Sequence, residues 1–185
     1  MNDYQTQAYV PTTEWVLFFP YAKAPLTLNG SRGNHYTKNQ WVKRIRNETS
    51  AYARQAGIPS LERAQARLTW YVLTDRRRDV DNLAPVEKVM FDGGVRAGIV
   101  RDDTPDLLHK HRPVIQPVDP MTHREAWMEL WVSTWDGTDN TPNLTTTGYQ
   151  QPTIATEGDP VGAHILQRLH PSFRGQLRGS GRRNG

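Results

Sequence analysis

Hydrophobic residues along this chain fall into runs, helical repeats and alternations. Trp15-Val-Leu-Phe-Phe19 is a short apolar run ended by Pro20 and predicts a buried strand. Pro25 to Asn34 is a Gly/Pro/Asn loop. From Lys38 to Gln55 the apolar positions Trp41, Ile45, Thr49, Tyr52 and then Ala56 recur at helical spacing, while Lys43, Arg44, Arg46 and Arg54 fall largely on the other faces. Gly57 and Pro59 stop that helix. Arg67 to Leu73, rich in Thr, Trp, Tyr and Val, reads as a second strand. Pro85 suits the first turn of a second helix, which packs through Val86, Val89, Met90, Gly93 and Ala97 and ends at Gly98. Gly93-Gly94 inside it predicts close approach of another element. Leu107 to Val118 reads as a weaker strand or pair of strands, broken by Pro113 and Pro117. Ala126 to Trp135 alternates, with Ala126, Met128, Leu130 and Val132 on one side and Trp127, Glu129, Trp131, Ser133 and Trp135 on the other. The order strand, helix, strand, helix, strand, strand predicts a small α/β domain: a mixed sheet packed with two helices.

Composition sets the limits of that domain. Of 185 residues 36% are hydrophobic, low enough that part of the length is expected not to pack. From about Gly137 apolar periodicity gives way to Thr, Asn, Gln, Gly and Pro, and the chain turns Arg/Gly-rich towards Arg183. The expected organisation is therefore a flexible segment over 1–13, a folded domain over 14–136, and a disordered Arg/Gly-containing tail over 137–185. A net charge of +4 favours a polyanionic partner. The lack of cysteine excludes disulfides, zinc-thiolate sites and thiol nucleophiles, and suits a reducing cytoplasm. No apolar run approaches a membrane span, and the first residues lack the basic-then-apolar order of a signal peptide. Neither a Gly-rich phosphate loop nor a Walker-type lysine motif is present, so no nucleotide cofactor is expected.

The chemistry concentrates around the second helix. Arg76, Arg77 and Arg78 directly precede Asp79-Val-Asp81, and Asp102-Asp103 follows the helix. Guanidinium groups bind phosphate. On extended backbone Asp79 and Asp81 leave the same face, near enough to share a hard cation such as Mg²⁺, and a strand–helix–loop return brings Asp102 or Asp103 beside them. Each pair also suits a plain turn or cap. Lys88, Asp92 and Arg96 are spaced as an exposed salt-bridge stripe; alternatively, Lys88 faces the scissile phosphate. His109 and His111 could ligate a metal, but Lys110 and Arg112 disfavour it, and they read as strand-surface or phosphate-proximal groups.

The run Arg77-Arg-Asp79-Val-Asp81-Asn82-Leu83, then Lys88-Val-Met-Phe91-Asp92, Ala97-Gly98-Ile99 and Asp102-Asp103 resembles the RusA family of Holliday-junction resolvases. The close match spans about Arg76 to Asp103; the Asn29 to Tyr36 loop and the basic helix after it match only loosely. The resemblance implies a RusA-like homodimer in the cytoplasm of a bacterium or phage-infected cell. It implies an Mg²⁺-dependent endonuclease, with Mn²⁺ as a substitute, that resolves four-way junctions by paired symmetric nicks in recombination or repair. The family's catalytic aspartates carry onto Asp79, Asp81 and Asp103, which also hold the metal, with Asp102 as the alternative to Asp103. Its essential lysine carries onto Lys88, although Ala84-Pro-Val-Glu87 makes the span before that lysine longer than the family pattern. Branched DNA is then the partner, with Arg76, Arg77, Arg78, Arg32, Lys43, Arg44 and Arg46 as phosphate contacts. Two other readings stay open: a non-catalytic branched-DNA-binding protein, and a broader structure-specific nuclease for forks and flaps.

Overall fold

Strand β1 (Glu14–Phe19) buries Leu17 and Phe19 in the core. The structure is a computed structural model that describes residues 14–28, 35–138 and 165–168. Helix α1 (His35–Gln55) starts three residues ahead of the expected Lys38 and buries Ile45, Thr49, Tyr52 and Ala53, close to the periodicity of its sequence. Gly57 follows it at φ 63°, a left-handed conformation that suits glycine. Strand β2 (Ala64–Val72) leads to a 3-10 turn at Val80–Leu83 and helix α2 (Ala84–Ala97). Gly98 closes α2 at φ 89°, its N–H reaching the carbonyls of Gly94 and Val95.

Pro113 divides the next segment in two. Strand β3 (Leu108–Lys110) runs parallel to Ala64–Ala66 of β2, and β4 (Val114–Pro117) runs parallel to Thr69–Val72 of the same strand. Strand β5 (Trp127–Thr134) sits between β2 and β1, antiparallel to both, with Leu130 opposite Leu68 on one side and Leu17 on the other. The sheet is therefore mixed, in the order β3-β2-β5-β1-β6, with β4 continuing the lane of β3. Two helices and this sheet make the α/β fold that the hydrophobic pattern predicts.

The sixth strand was not expected. Ile165–Arg168 forms β6, antiparallel to Glu14–Leu17 of β1, within the segment that the composition assigned to a disordered tail. A four-residue strand is too short to stand out from its surroundings, and an edge strand can borrow its order from backbone pairing. The rest of that tail beyond Thr138, and the 1–13 segment, lie outside the described residues.

One core joins the helices to the sheet. Ile45 of α1, Val86 and Met90 of α2, and Leu17, Phe19, Leu68, Met128 and Leu130 of the strands are almost fully buried in it. The helices meet most tightly at Gly93, where an added Cβ would stand 2.7 Å from Thr49 Cβ and 2.8 Å from the Arg46 carbonyl oxygen. Polar contacts flank this seam: Arg46 pairs with Asp92 at 2.7 Å, and Arg96 donates to Asn47 Oδ1 at 2.6 Å.

The opposite face of the sheet is polar and aromatic. Gln65, Arg67, Thr69, Glu129, Trp131 and Ser133 are all buried there, so both sides of the β5 alternation are removed from solvent. His111 belongs to this face, buried and 3.0 Å from Gln65 Oε1, and His109 stacks on Trp135. The strand-surface reading therefore fails for His111. Among the described residues, no helix is long and apolar enough to cross a membrane.

Candidate functional site

The loop from β2 to α2 carries the arginines and the first pair of acids. Arg76 and Arg77 are exposed. Arg78 turns back on its own loop, donating to the carbonyls of Thr74 and Arg76 at 2.7 and 2.9 Å and lying over the Trp70 ring. It staples the loop, so the outward-facing cations of this motif are Arg76 and Arg77. Asp79 is extended, with φ −90° and ψ 118°, but Asp81 already belongs to the 3-10 turn. The expectation of two side chains on one face of a strand is therefore overturned. Asp79 Oδ1 instead accepts the Asp81 N–H at 3.0 Å, because a short carboxylate ahead of a helix is well placed to satisfy a free backbone donor. Asp102 does the same locally, accepting from the Asp103 N–H at 2.7 Å.

Asp81 and Asp103 are reached by one short stretch of chain. Arg112 approaches Asp81 Oδ1 to 3.6 Å, and Lys110 bonds Asp103 Oδ2 at 2.9 Å. Lys110 and Arg112 alternate in sequence with His109 and His111, which instead meet Trp135 and Gln65. The first of these ion pairs is open to water, with side-chain exposures of 76% and 70%, and contributes little to stability. The second is more enclosed. Its hydrogen bond holds the Asp103 carboxyl below the usual range, helped by the charges of Lys110 and Lys88. Lys88 is thus within electrostatic reach of Asp103, although its nearest carboxylate is Asp92 at 3.9 Å and its side chain is 72% exposed.

The stripe expected along α2 is in fact split between helices. Asp92 has its shorter contact with Arg46 of α1, and Arg96 turns to Asn47. Among the basic residues of α1, Arg46 is therefore committed to the helix seam, Arg44 pairs with Glu48 at 2.7 Å and lies over Trp41, and Lys43 is exposed. Arg32 lies outside the described residues.

Three groups at this site were not singled out from the sequence. Lys110 and Arg112 entered only as reasons against a histidine metal site. Glu87 entered only as part of the longer span before Lys88. The structure half-buries Glu87 in the first turn of α2, with Oε1 enclosed and without a hydrogen-bond partner. Burial pushes its carboxyl up to about 7, against the opposing charge of Lys110. A carboxyl raised in this way contributes stability that is fully present below its unfolded value and is lost as pH climbs through about 7. Glu87→Gln keeps the neutral shape at every pH. It is expected to raise unfolding free energy at about pH 8 by about 1–3 kcal/mol, with little change near pH 4, measured by urea denaturation.

Carboxylate oxygens are the right donors for Mg²⁺ or Mn²⁺. Their arrangement is another matter: among the described residues no three Asp, Glu or His side chains gather closely enough to hold a metal ion. Asp79 and Asp102 cap turns, while Asp81 and Asp103 are ion-paired. The donors therefore fit in kind but are not assembled. No family model matches the chain, and no curated protein matches it.

Proposed function

We propose that this protein is a structure-specific endodeoxyribonuclease that acts as a homodimer on four-way DNA junctions, in the manner of the RusA family its sequence resembles. The observation that carries this reading is the shared reach of Lys110 and Arg112. Two cations two residues apart contact Asp103 and Asp81, which supports a reading in which the acids on either side of α2 serve one site, with Arg76 and Arg77 exposed on the loop that carries Asp81.

In this reading Asp79, Asp81 and Asp103 hold Mg²⁺, or Mn²⁺ in its place, with Asp102 as the neighbouring alternative. A divalent cation bound there supplies the Lewis acidity that phosphodiester hydrolysis requires. Arg76 and Arg77 hold the phosphate backbone. Lys88, on the first turns of α2, stabilises negative charge on the phosphate as the leaving oxygen departs. Two copies related by a two-fold axis present two equivalent sites to the two strands of a junction, which accounts for paired nicks. Phosphate contacts dominate such binding, so affinity falls steeply with salt.

A second reading has its own support. Turn caps and ion pairs account for all four aspartates, as they would in a branched-DNA-binding protein without catalysis. A panel of synthetic junction, fork, flap and linear duplex substrates separates the possibilities. The expected result is symmetric nicking of the junction that requires Mg²⁺ or Mn²⁺. Junction binding without nicking at any concentration of either ion supports the second reading, and preference for forks or flaps points to a broader nuclease.

A further inference from the structure

The turn over 119–123, between β4 and β5, has no part in the chemistry described so far. It carries the most exposed large hydrophobic side chain among the described residues, Met121, 91% open to solvent. We propose that Met121 is an apolar wedge that inserts against unstacked bases at the centre of a branched DNA. The inference rests on the branched-DNA reading for its partner, and it adds what phosphate contacts lack, a means of telling a junction from plain duplex.

Topology brings this turn to the end of the sheet that also bears the arginines. Strand β4 flanks β2 on one side and β5 flanks it on the other, so the connection between them crosses the end of β2. There the Val118 N–H donates to the Val72 carbonyl at 2.9 Å, and from the same end β2 leaves into the loop with the exposed Arg76 and Arg77. A lone exposed hydrophobic is ordinary on a protein surface; this one is braced. Asp119 Oδ1 accepts the Met121 N–H at 2.8 Å, and the Asp119 carbonyl accepts the N–H groups of Thr122 and His123, both at 3.1 Å. His123 stacks on Trp127 with ring centroids 5.0 Å apart, and Trp127 stacks on Tyr71 at 4.5 Å, a column of rings that roots the turn in β5 and β2. Exposed Arg124 is offset by exposed Glu125, so the tip meets its partner through apolar surface and leaves phosphate to Arg76 and Arg77. Methionine suits this task because its unbranched chain fits an irregular gap and its polarisable sulfur is favourable against aromatic rings. In continuous duplex a wedge has to break stacking between base pairs, whereas at a branch point that stacking is already interrupted. The same side chain therefore gains more on a junction than on a linear duplex.

The test is fluorescence-anisotropy titration of the full chain, in EDTA, with a synthetic four-way junction and with linear duplex of the same arm sequence. Met121→Ala is expected to bind the junction roughly tenfold more weakly than wild type and the duplex equally well. Met121→Leu keeps the apolar volume and is expected to bind both as wild type does. 2-Aminopurine placed at the branch point is expected to change its fluorescence with wild type and Met121→Leu, but not with Met121→Ala. The side chain is almost wholly in water, so Met121→Ala is expected to keep the thermal midpoint of wild type. Unchanged junction affinity in Met121→Ala overturns the wedge, and so does an equal loss on junction and duplex. Wild type that binds the junction no better than the duplex overturns it too. If Met121→Ala instead abolished self-association of the free protein and left junction affinity unchanged, the turn would meet a second copy, not DNA. Met121-dependent junction binding with no nicking in Mg²⁺ or Mn²⁺ sinks the nuclease reading alone. Junction nicking with affinity indifferent to Met121 sinks the wedge alone.

Discussion

Asp81→Asn is expected to cut four-way-junction nicking in Mg²⁺ by at least roughly a hundredfold while leaving junction binding intact. The argument begins with what the substitution spares. The Asp81 backbone N–H, not its side chain, is the group held by Asp79, so the turn into α2 keeps its cap. Among the described residues, the side chain's one polar contact is the loose pair with Arg112 at 3.6 Å, with both groups largely in water. Such a pair is worth only tenths of a kcal/mol, so the variant folds and any loss of turnover is chemical. Asparagine keeps the size of the carboxylate and removes the charge that attracts a divalent ion. Junction affinity holds or rises, since one negative charge leaves the neighbourhood of Arg76 and Arg77. Nicking assays, gel-shift binding without Mg²⁺ and a thermal midpoint check all three clauses. Wild-type nicking by Asp81→Asn would remove this residue from the site.

The largest stability effect is expected at Gly93. Adding one carbon to Gly93 places it 2.7 Å from Thr49 Cβ and 2.8 Å from the Arg46 carbonyl oxygen. Neither obstacle is the free end of a side chain: one is a β-carbon and the other is backbone. The helices have to part, which loosens Ile45 and Met90 beneath them and strains the Arg46–Asp92 bond beside them. Gly93→Ala is therefore expected to lose about 2–3 kcal/mol, despite the better helix propensity of alanine. Gly94 is the internal control. A Cβ there meets only Ile99 Cδ1, at 3.5 Å, so Gly94→Ala is expected to be neutral or to gain up to about 1 kcal/mol. Urea denaturation of the two single variants checks the contrast, and equal losses at both positions would contradict the seam.

This contrast also shows how far the sequence reached. Helical spacing identified α1 and α2 because both bury one face, and the periodicity of Ile45, Thr49 and Tyr52 survives into the structure. The same spacing put Gly93, with Val86, Val89 and Met90, on the packing face of α2, and that is the glycine that meets α1; that its neighbours there are Thr49 and the Arg46 carbonyl follows from tertiary packing, which spacing does not encode. Strands β1, β2 and β5 were legible from apolar runs and alternation, and Pro113 marked the division between β3 and β4. The site was legible as a list of acids and less so as an arrangement. Asp79 and Asp81 looked like strand neighbours because the helix was expected to start near Pro85, whereas a 3-10 turn over Val80–Leu83 already takes Asp81 out of extended backbone. Lys110 and Arg112 were passed over because their role depends on contacts with Asp103 and Asp81, 7 and 31 residues away in the chain. Glu87 gave no signal, since its enclosure comes from tertiary packing.

The pairing of Ile165–Arg168 with Glu14–Leu17 bears on where the folding unit ends. A boundary drawn at the compositional change near Gly137 would leave β1 as a bare margin, with its amide and carbonyl groups along Glu14–Leu17 deprived of this partner. An apolar strand with unpaired backbone recruits whatever chain is nearest, including another copy of itself. A shortened form would then clump through this margin, and its association would say nothing about how intact copies meet on DNA.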